Sequence, residues 1–387
     1  MQIPIPVTIM RGGTSRGIFF LEKDLPVPGP LRDGVLLRVF GSPDPKQIDG
    51  LGGATSVTSK AAVIGPPSVA GADVDYTFAQ VSITAPLVDY TGNCGNISSA
   101  VGPFAIMAGL VRAIDPVTRV SIHNTNTGKI IVAEVPVQNG RVVAEGECRI
   151  AGVPGTGARI LLNFENPAGA VTGKLLPTGQ ARETLSTDAG EYTVSIVDAA
   201  NPTVFVRARD IGMRGDESPQ EIDADEALLG RLEAIRSAAC ERIGLVAHRR
   251  DATRLSPAVP KMTVFAPPMA YQATSGDPVA PEEINLTART MSMQKAHRNY
   301  AITGAVCTMV AARIPGTVVA EVTKPPAPPV TELRLGHPGG VIGLEVDVAG
   351  EGGSLVIRRA AVARTARRLM QGLAFIPGDL WPGYEMG

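Results

Sequence analysis

Apolar and polar residues alternate in short runs along most of the chain, and the order of the runs appears twice. Pro6-Val7-Thr8-Ile9-Met10, the small-residue turn Arg11 to Gly17, and Ile18-Phe19-Phe20 predict strand, loop, strand. Tyr192 to Val197, Asp198-Ala199-Ala200-Asn201-Pro202 and Thr203 to Val206 repeat them. Next come two lysine-led apolar strands stopped by proline, Lys60 to Pro66 and Lys261 to Pro267. The alternating stretch Asp75 to Ile83 leads through Gly92-Asn93-Cys94-Gly95-Asn96 into a helical run from Ile97 to Leu110. Its counterpart runs from Glu283 to Met293, then through Tyr300 to Ala305 into a helix ending at Ala312. A duplication this long predicts two like domains with a site in the cleft between them, formed by corresponding loops. The polar link Thr184 to Gly190 places the boundary so that 1–187 is the first domain and 188–375 the second, with 376–387 free to return to the first. Asp210 to Ala247, with Leu228, Leu229, Leu232 and Ile235 at helical spacing, predicts a surface helix pair serving as scaffold.

Composition agrees with a buried, β-rich chain: 44% hydrophobic and 19% charged residues, with 43 Gly and 32 Pro spread as turn formers. A net charge of −1 excludes a large non-specific attraction to nucleic acid or anionic lipid, so any anion binding is local. There is no long apolar span, and Met1 to Pro6 lacks the look of a signal peptide, which predicts a cytoplasmic protein without membrane contact. Cys94, Cys148, Cys240 and Cys307 show no C-x-x-C spacing and are expected as reduced thiols.

Chemistry concentrates at a few positions. Cys94, between asparagines and glycines at a predicted helix start, sits where free N–H groups favour negative charge. Cys307, between apolar neighbours in a helix, reads as a core residue. Lys60 follows the hydroxyl run Thr55-Ser56-Val57-Thr58-Ser59 and by itself reads equally as a solvated charge and as a proton carrier. The loops Arg11 to Gly17, Gly52 to Ser56, Asn93 to Ser98 and Thr303-Gly304 offer backbone amides suited to carboxylates. No nucleotide-binding glycine pattern occurs, and His123, His248, His297 and His337 are isolated, so neither cofactor nor metal is expected. His297 and His337 are kept as ligand contacts, and the single Trp381 as a plug at the domain junction.

Met10 to Gly17, Gly41-Ser42-Pro43-Asp44, Gln47-Ile48-Asp49-Gly50, Gly52 to Ser56, Ser59-Lys60 and Gly92 to Asn96 together resemble the PrpF-like isomerases. That family includes 2-methylaconitate isomerase, 3-methylitaconate isomerase and 4-oxalomesaconate tautomerase. The resemblance covers nearly the whole chain and implies an α+β, diaminopimelate-epimerase-like fold, two similar domains in which curved sheet wraps a central helix. Epimerases of this fold bring a cysteine from each domain; here the second position is Ala301, so two-thiol racemisation is not expected. The resemblance implies instead that Lys60 and Cys94 are proton carriers in a cofactor-independent allylic isomerisation of a small unsaturated di- or tricarboxylic acid, with base and acid roles open between them. The amide-rich loops of the two halves are the expected source of substrate contacts, from Arg11, Gly13, Thr14, Ser15, Arg16, Thr55, Ser56, Asn93, Gly95, Asn96 and Ser98, and from Asn201, Thr303 and Gly304. The 2-methylaconitate type is the nearest in the Arg11 loop and the 41–60 region, and a homo-oligomer is left open. The competing readings are a non-catalytic tricarboxylate-binding accessory protein of the same fold and a cysteine-nucleophile hydrolase or transferase, the latter lacking a recognisable histidine partner.

Overall fold

A computed structural model describes residues 2–90, 93–326, 332–350 and 354–384. Gly92 of the Gly92 to Asn96 motif and residues 385–387 lie outside them. The chain divides into two compact units, Met1–Leu162 with Ala363–Gly387, and Asn163–Val362.

In the first unit, β1 (Gln2–Gly12) and β2 (Ser15–Leu21) form a hairpin with Gly12 opposite Ser15. β1 pairs on its other side with the strand Ala366–Pro377. β2 runs parallel to β3 (Lys60–Gly65), and β3 antiparallel to β4 (Val74–Val81). β4 is parallel to Val117–Asn124, which turns back into Lys129–Gln138.

Side-chain alternation gives this sheet two apolar faces. Ile18 and Phe20 pack with Ala61, Val63 and the helix α1 (Pro30–Phe40), through its Val35, Leu36, Val39 and Phe40. Phe19 points the other way, its ring 5.4 Å from Phe104 of α2 (Gly95–Met107). Every residue of α2 from Ile97 to Ile106 is buried, as befits a helix that is apolar all round. It is touched by β1, β2, β3 and the strands at 117–124, 129–138 and 366–377. The approach is close enough that a Cβ at Gly102 would sit 2.9 Å from Val135 Cγ2.

The second unit repeats the order. Gly190–Asp198 and Pro202–Arg207 form the hairpin, and Pro202–Arg207 is parallel to Lys261–Ala266. Lys261–Ala266 is antiparallel to Leu286–Ser292, which is parallel to Glu332–His337, and that strand turns back into Gly340–Ala349. The buried helix Ile302–Ala311 lies against these strands.

Two readings of the sequence need correction. The link at 184–190 is no boundary: Glu183–Thr187 pairs antiparallel with Gly190–Asp198, so the polar residues turn a hairpin inside the second unit. The units instead meet at 162/163 and 362/363. The Asp210–Ala247 segment is more than surface scaffold. Its helix Glu226–Arg242 buries Leu228, Leu232, Ile235, Ala238 and Ala239 with Val204, Val206, Met262 and Val264 of the strands, the counterpart of α1. Trp381 packs with Tyr384 on the first unit's own core. Among the described residues no helix is long and apolar enough to cross a membrane.

Candidate active site

Among the predicted residues of the first unit, Gly13 and Thr14 touch the first turn of α2, and Lys60 opens a strand packed on that helix. Lys60 opens β3, directly opposite Gln80 in the β3–β4 ladder. Its Nζ donates to Gln80 Oε1 at 2.7 Å and lies 5.1 Å from the centre of the Phe78 ring, a cation–π contact. Gln80 is oriented for this because its Nε2 donates to the carbonyls of Ser59 (2.8 Å) and Ser56 (3.3 Å), which leaves the amide oxygen for the lysine. A neutral acceptor and an aromatic face hold the amine in place.

Cys94 is the N-cap of α2, half-buried and in extended conformation. Its carbonyl accepts from the Ser98 N–H at 2.9 Å and from Ser98 Oγ at 3.1 Å. Ser98 Oγ also donates to Asn93 Oδ1 at 3.2 Å. The first turn of α2 contains no acidic residue, so its unpaired N–H groups are available to an anion.

The hairpin tip is stapled to this turn. Thr14 N–H donates to Asn96 Oδ1 (3.3 Å), and Asn96 Nδ2 donates to Thr14 Oγ1 (3.0 Å). Only glycine fits beneath: a Cβ at Gly13, whose φ is +50°, would sit 2.1 Å from Asn96 Oδ1, and one at Gly12 would be 2.5 Å from the Asn96 carbonyl oxygen. Arg11 Nη1 donates to the carbonyls of Gly13 (3.0 Å) and Thr365 (2.9 Å), which fixes the tip to the C-terminal segment. Burial, then the charge of Arg367, lowers the proton affinity of its guanidinium. Ser15 is buried, Arg16 extends alongside Gly53, and Thr55 and Ser56 are exposed. The 52–54 turn is braced by buried Gln47, which accepts from Ala54 N–H (2.8 Å) and donates to Ser59 Oγ (2.8 Å) and Ser42 Oγ (2.9 Å). A Cβ on Gly17 would meet both Ile97 Cδ1 and the Lys60 carbonyl, at 2.9 and 3.1 Å, so β2, β3 and α2 converge there.

The second unit's equivalent end is chemically different. Ala301 is the N-cap of Ile302–Ala311, where the first unit has a thiol. Lys261 carries its aliphatic chain past Gly304, with Cδ 3.9 Å from where a Cβ would lie, and burial lowers its proton affinity. Thr303 is half-buried, and Asn201 holds a buried Oδ1 without a protein partner beside left-handed Ala200. His297 and His337 serve local turns, each accepting at Nδ1 from the backbone, of Asn299 and Gly339 respectively. Cys307 is a core residue whose thiol is pushed up to about 12 by burial and donates to the Val197 carbonyl at 3.2 Å.

A family profile described as PrpF protein matches residues 2–377. The chain belongs to the PrpF family. Within it, the chain is 50% identical over 376 residues to the 3-methylitaconate isomerase of Eubacterium barkeri, covering 97% of this chain and 98% of that one. It is 41% identical over 390 residues to the 2-methyl-aconitate isomerase of Shewanella oneidensis, covering 97% and 98%. The crystal structure of methylitaconate-delta-isomerase superposes with a TM-score of 0.90 at 48% identity, covering 100% of this chain and 99% of that one. A hydroxyproline epimerase from Agrobacterium vitis, 12% identical with a TM-score of 0.54 over 99% and 96% of the two chains, shares the fold. The PrpF chain is thus an α+β protein of the diaminopimelate-epimerase-like class, as its motifs imply.

Gln47, Phe78 and Gln80 are missing from the residues picked out by sequence. Alternation along Asp75 to Ile83 puts 76, 78 and 80 on one face, but only the register with β3 brings Gln80 to Lys60.

Proposed function

We propose that this protein is a cofactor-independent isomerase that moves a proton, and with it a C=C bond, along a small unsaturated dicarboxylic acid of the methylitaconate type. The observation that carries the proposal is the chain's 50% identity over nearly its whole length to a 3-methylitaconate isomerase, and it is supported by Cys94 at the N-cap of α2 and Lys60 at the start of β3, a strand packed on that helix. That identity ranks methylitaconate ahead of 2-methylaconitate, the type suggested by the Arg11 loop.

The chemistry needs one proton removed and one returned. A C–H next to an alkene conjugated with a carboxylate is acidic because its removal spreads charge into a dienolate. Lys60, in its neutral form, takes that proton; Cys94 delivers a proton to the far carbon of the allylic unit, and the double bond moves. Substrate and product are isomers, so nothing is oxidised or reduced. Charge accumulates on the carboxylate as the C–H bond breaks, and donors aimed there stabilise the transition state more than the ground state. Arg16, Thr14, Ser15, Thr55, Ser56, Asn93, Asn96, Ser98 and the Gly95 and Gly13 amides are the first unit's proposed contacts, with Arg11 holding the tip that presents them. Asn201, Thr303 and Gly304 are the second unit's.

The test is proton NMR in D2O with methylitaconate, 2-methylaconitate and 4-oxalomesaconate. Deuterium should enter the allylic positions as the double bond moves, and Lys60→Ala should slow this by 10²-fold or more with unchanged thermal melting. Binding of the acids without exchange would mean an accessory protein instead, and activity within tenfold in Lys60→Ala would remove Lys60 from the proton path.

A further inference from the structure

The second unit holds an amine that its own side chains leave without an acceptor. Lys261 stands where Lys60 stands in the first unit, at the start of the lysine-led strand, but its surroundings differ. Lys60 has Gln80 opposite it as an acceptor. The antiparallel ladder beside Lys261 begins only at Thr263, paired with Thr290, so no residue of that strand is set against the lysine. Its parallel neighbour Thr203 donates its hydroxyl to the Asn201 carbonyl, 3.3 Å away. The hydroxyl of Tyr300, which like Lys261 borders Gly304, is shared with those of Thr263 and Thr308. Among the described residues none accepts a hydrogen bond from the Lys261 amine or forms an ion pair with it, and the side chain is packed deeply enough that burial lowers its proton affinity. A desolvated amine without an acceptor is destabilising, so it calls for a cause.

Beside the lysine lies a bare helix start. Counted from the N-caps Cys94 and Ala301, Gly304 occupies the position of Ile97, whose side chain is fully buried in the first unit. Packing does not demand this glycine. A Cβ on it would lie 3.6 Å from Tyr300 Cε1, 3.9 Å from Lys261 Cδ and 4.0 Å from Ala301 Cβ, all ordinary contacts. Glycine also weakens a helix relative to alanine, so what it provides is uncovered backbone next to the lysine stem. The N–H groups of Ile302, Thr303 and Gly304 have no acceptor among the described residues, and the first turn holds no acidic side chain. Amine and amides are all donors, so the ligand that fits them is an anion with more than one acceptor oxygen. We propose that Lys261 and the first turn of Ile302–Ala311 form a carboxylate-binding subsite, the amine pairing with one carboxylate of a dicarboxylic acid whose oxygens also take the helix N–H groups. The identity of that acid rests on the reading of the protein as an isomerase of unsaturated dicarboxylic acids; the subsite itself rests on the lysine, the glycine and the open turn.

The probe is 2,3-dimethylsuccinate, which has the carbon skeleton and both carboxylates of methylitaconate but no C=C bond, so it binds without turning over. Isothermal titration calorimetry on the whole protein compares wild type, Lys261→Met and Gly304→Ala. Lys261→Met keeps an unbranched chain and removes the amine, and its Kd should rise about tenfold or more, the loss of one charge-assisted pairing. Gly304→Ala should raise Kd about threefold or more, because its methyl group covers the turn. Neither variant should melt below wild type, since one removes a buried amine without an acceptor and the other replaces a helical glycine. A Kd within about twofold of wild type in either variant overturns the proposal, as does failure of the wild-type protein to bind the probe. So does a fall in the Tm of Lys261→Met, which would show that the protein itself holds the amine. The outcome is separable from the isomerase reading. Binding that depends on Lys261 stands whether or not deuterium enters methylitaconate, and deuterium exchange alongside binding that ignores Lys261 sinks only the subsite.

Discussion

At the scale of single residues, the site rests on how the Lys60 amine is held. Gln80 gives Lys60 an acceptor that carries no charge, and its own N–H groups are tied to the Ser56 and Ser59 carbonyls. Replacing it by glutamate keeps the length and one acceptor but sets a negative charge against the ammonium. That charge favours protonated Lys60. If Lys60 works as the base in its neutral form, Gln80→Glu should shift the acidic limb of the kcat/KM profile upward by about one pH unit or more and reduce activity at neutral pH accordingly. A pH–rate profile that does not move, in a variant of wild-type thermal stability, would show that Lys60 is not the group titrating on that limb. Lys60 and Cys94 stood out in the sequence as candidates because their neighbours form motifs. Gln80 did not, because a glutamine in an alternating strand means nothing chemically until pairing register is set against it.

At the scale of elements, the hairpin of β1 and β2 works because its tip can touch the backbone of α2. Gly13→Ala would combine a left-handed φ of +50° with a Cβ 2.1 Å from Asn96 Oδ1, so Asn96 would have to leave Thr14. We expect a loss of about 2–3 kcal/mol, against about 1 kcal/mol for Gly71→Ala, where φ is +83° but nothing lies within 4 Å. Trp381 packs on the first unit's core, so its fluorescence during urea unfolding reads the stability of that unit. Equal losses in the two variants would mean that backbone conformation alone, and not the staple, makes Gly13 necessary. The elements themselves were largely readable. Lysine-led strands, alternating strands and all-apolar helices fall in the predicted order in both halves. The polar strand Glu183–Thr187 was misread as a link because Leu185 is its one buried apolar side chain, and the strand owes its existence to pairing with Gly190–Asp198. Local composition could not show that pairing.

At the scale of the whole molecule, duplication of the strand order has left two units with different chemistry at corresponding helix ends: Cys94 with Lys60 in one, Ala301 with Lys261 in the other. Their stability has a shared dependence on pH, because each contains carboxylates whose folded state favours the ionised form. In the first unit Asp75 is lowered: burial opposes this, but Ser68 and then His123 outweigh it. In the second, burial would raise Glu233, but Arg236, Thr253 and Ser237 all donate to it and bring it below its ordinary value. The sign follows from linkage. A carboxylate lowered on folding contributes stability that is complete above its unfolded value, about 4.5 for Glu233, and is lost as pH falls through the folded one. Thermal stability should therefore be level from neutral pH down to about 5 and fall below it. Arg236 is nearly sealed from solvent, so Glu233→Gln strands a buried guanidinium and should cost about 3 kcal/mol at pH 7. Asp75 and the other lowered carboxylates remain in that variant, so its Tm still declines in acid, but the gap to wild type should narrow once Glu233 is protonated in both states of the parent. Calorimetry at pH 7, 5, 4 and 3 measures that gap directly. A difference in Tm that stayed constant from pH 7 to pH 3 would show that the Glu233 carboxylate is not held ionised by its partners in the folded protein.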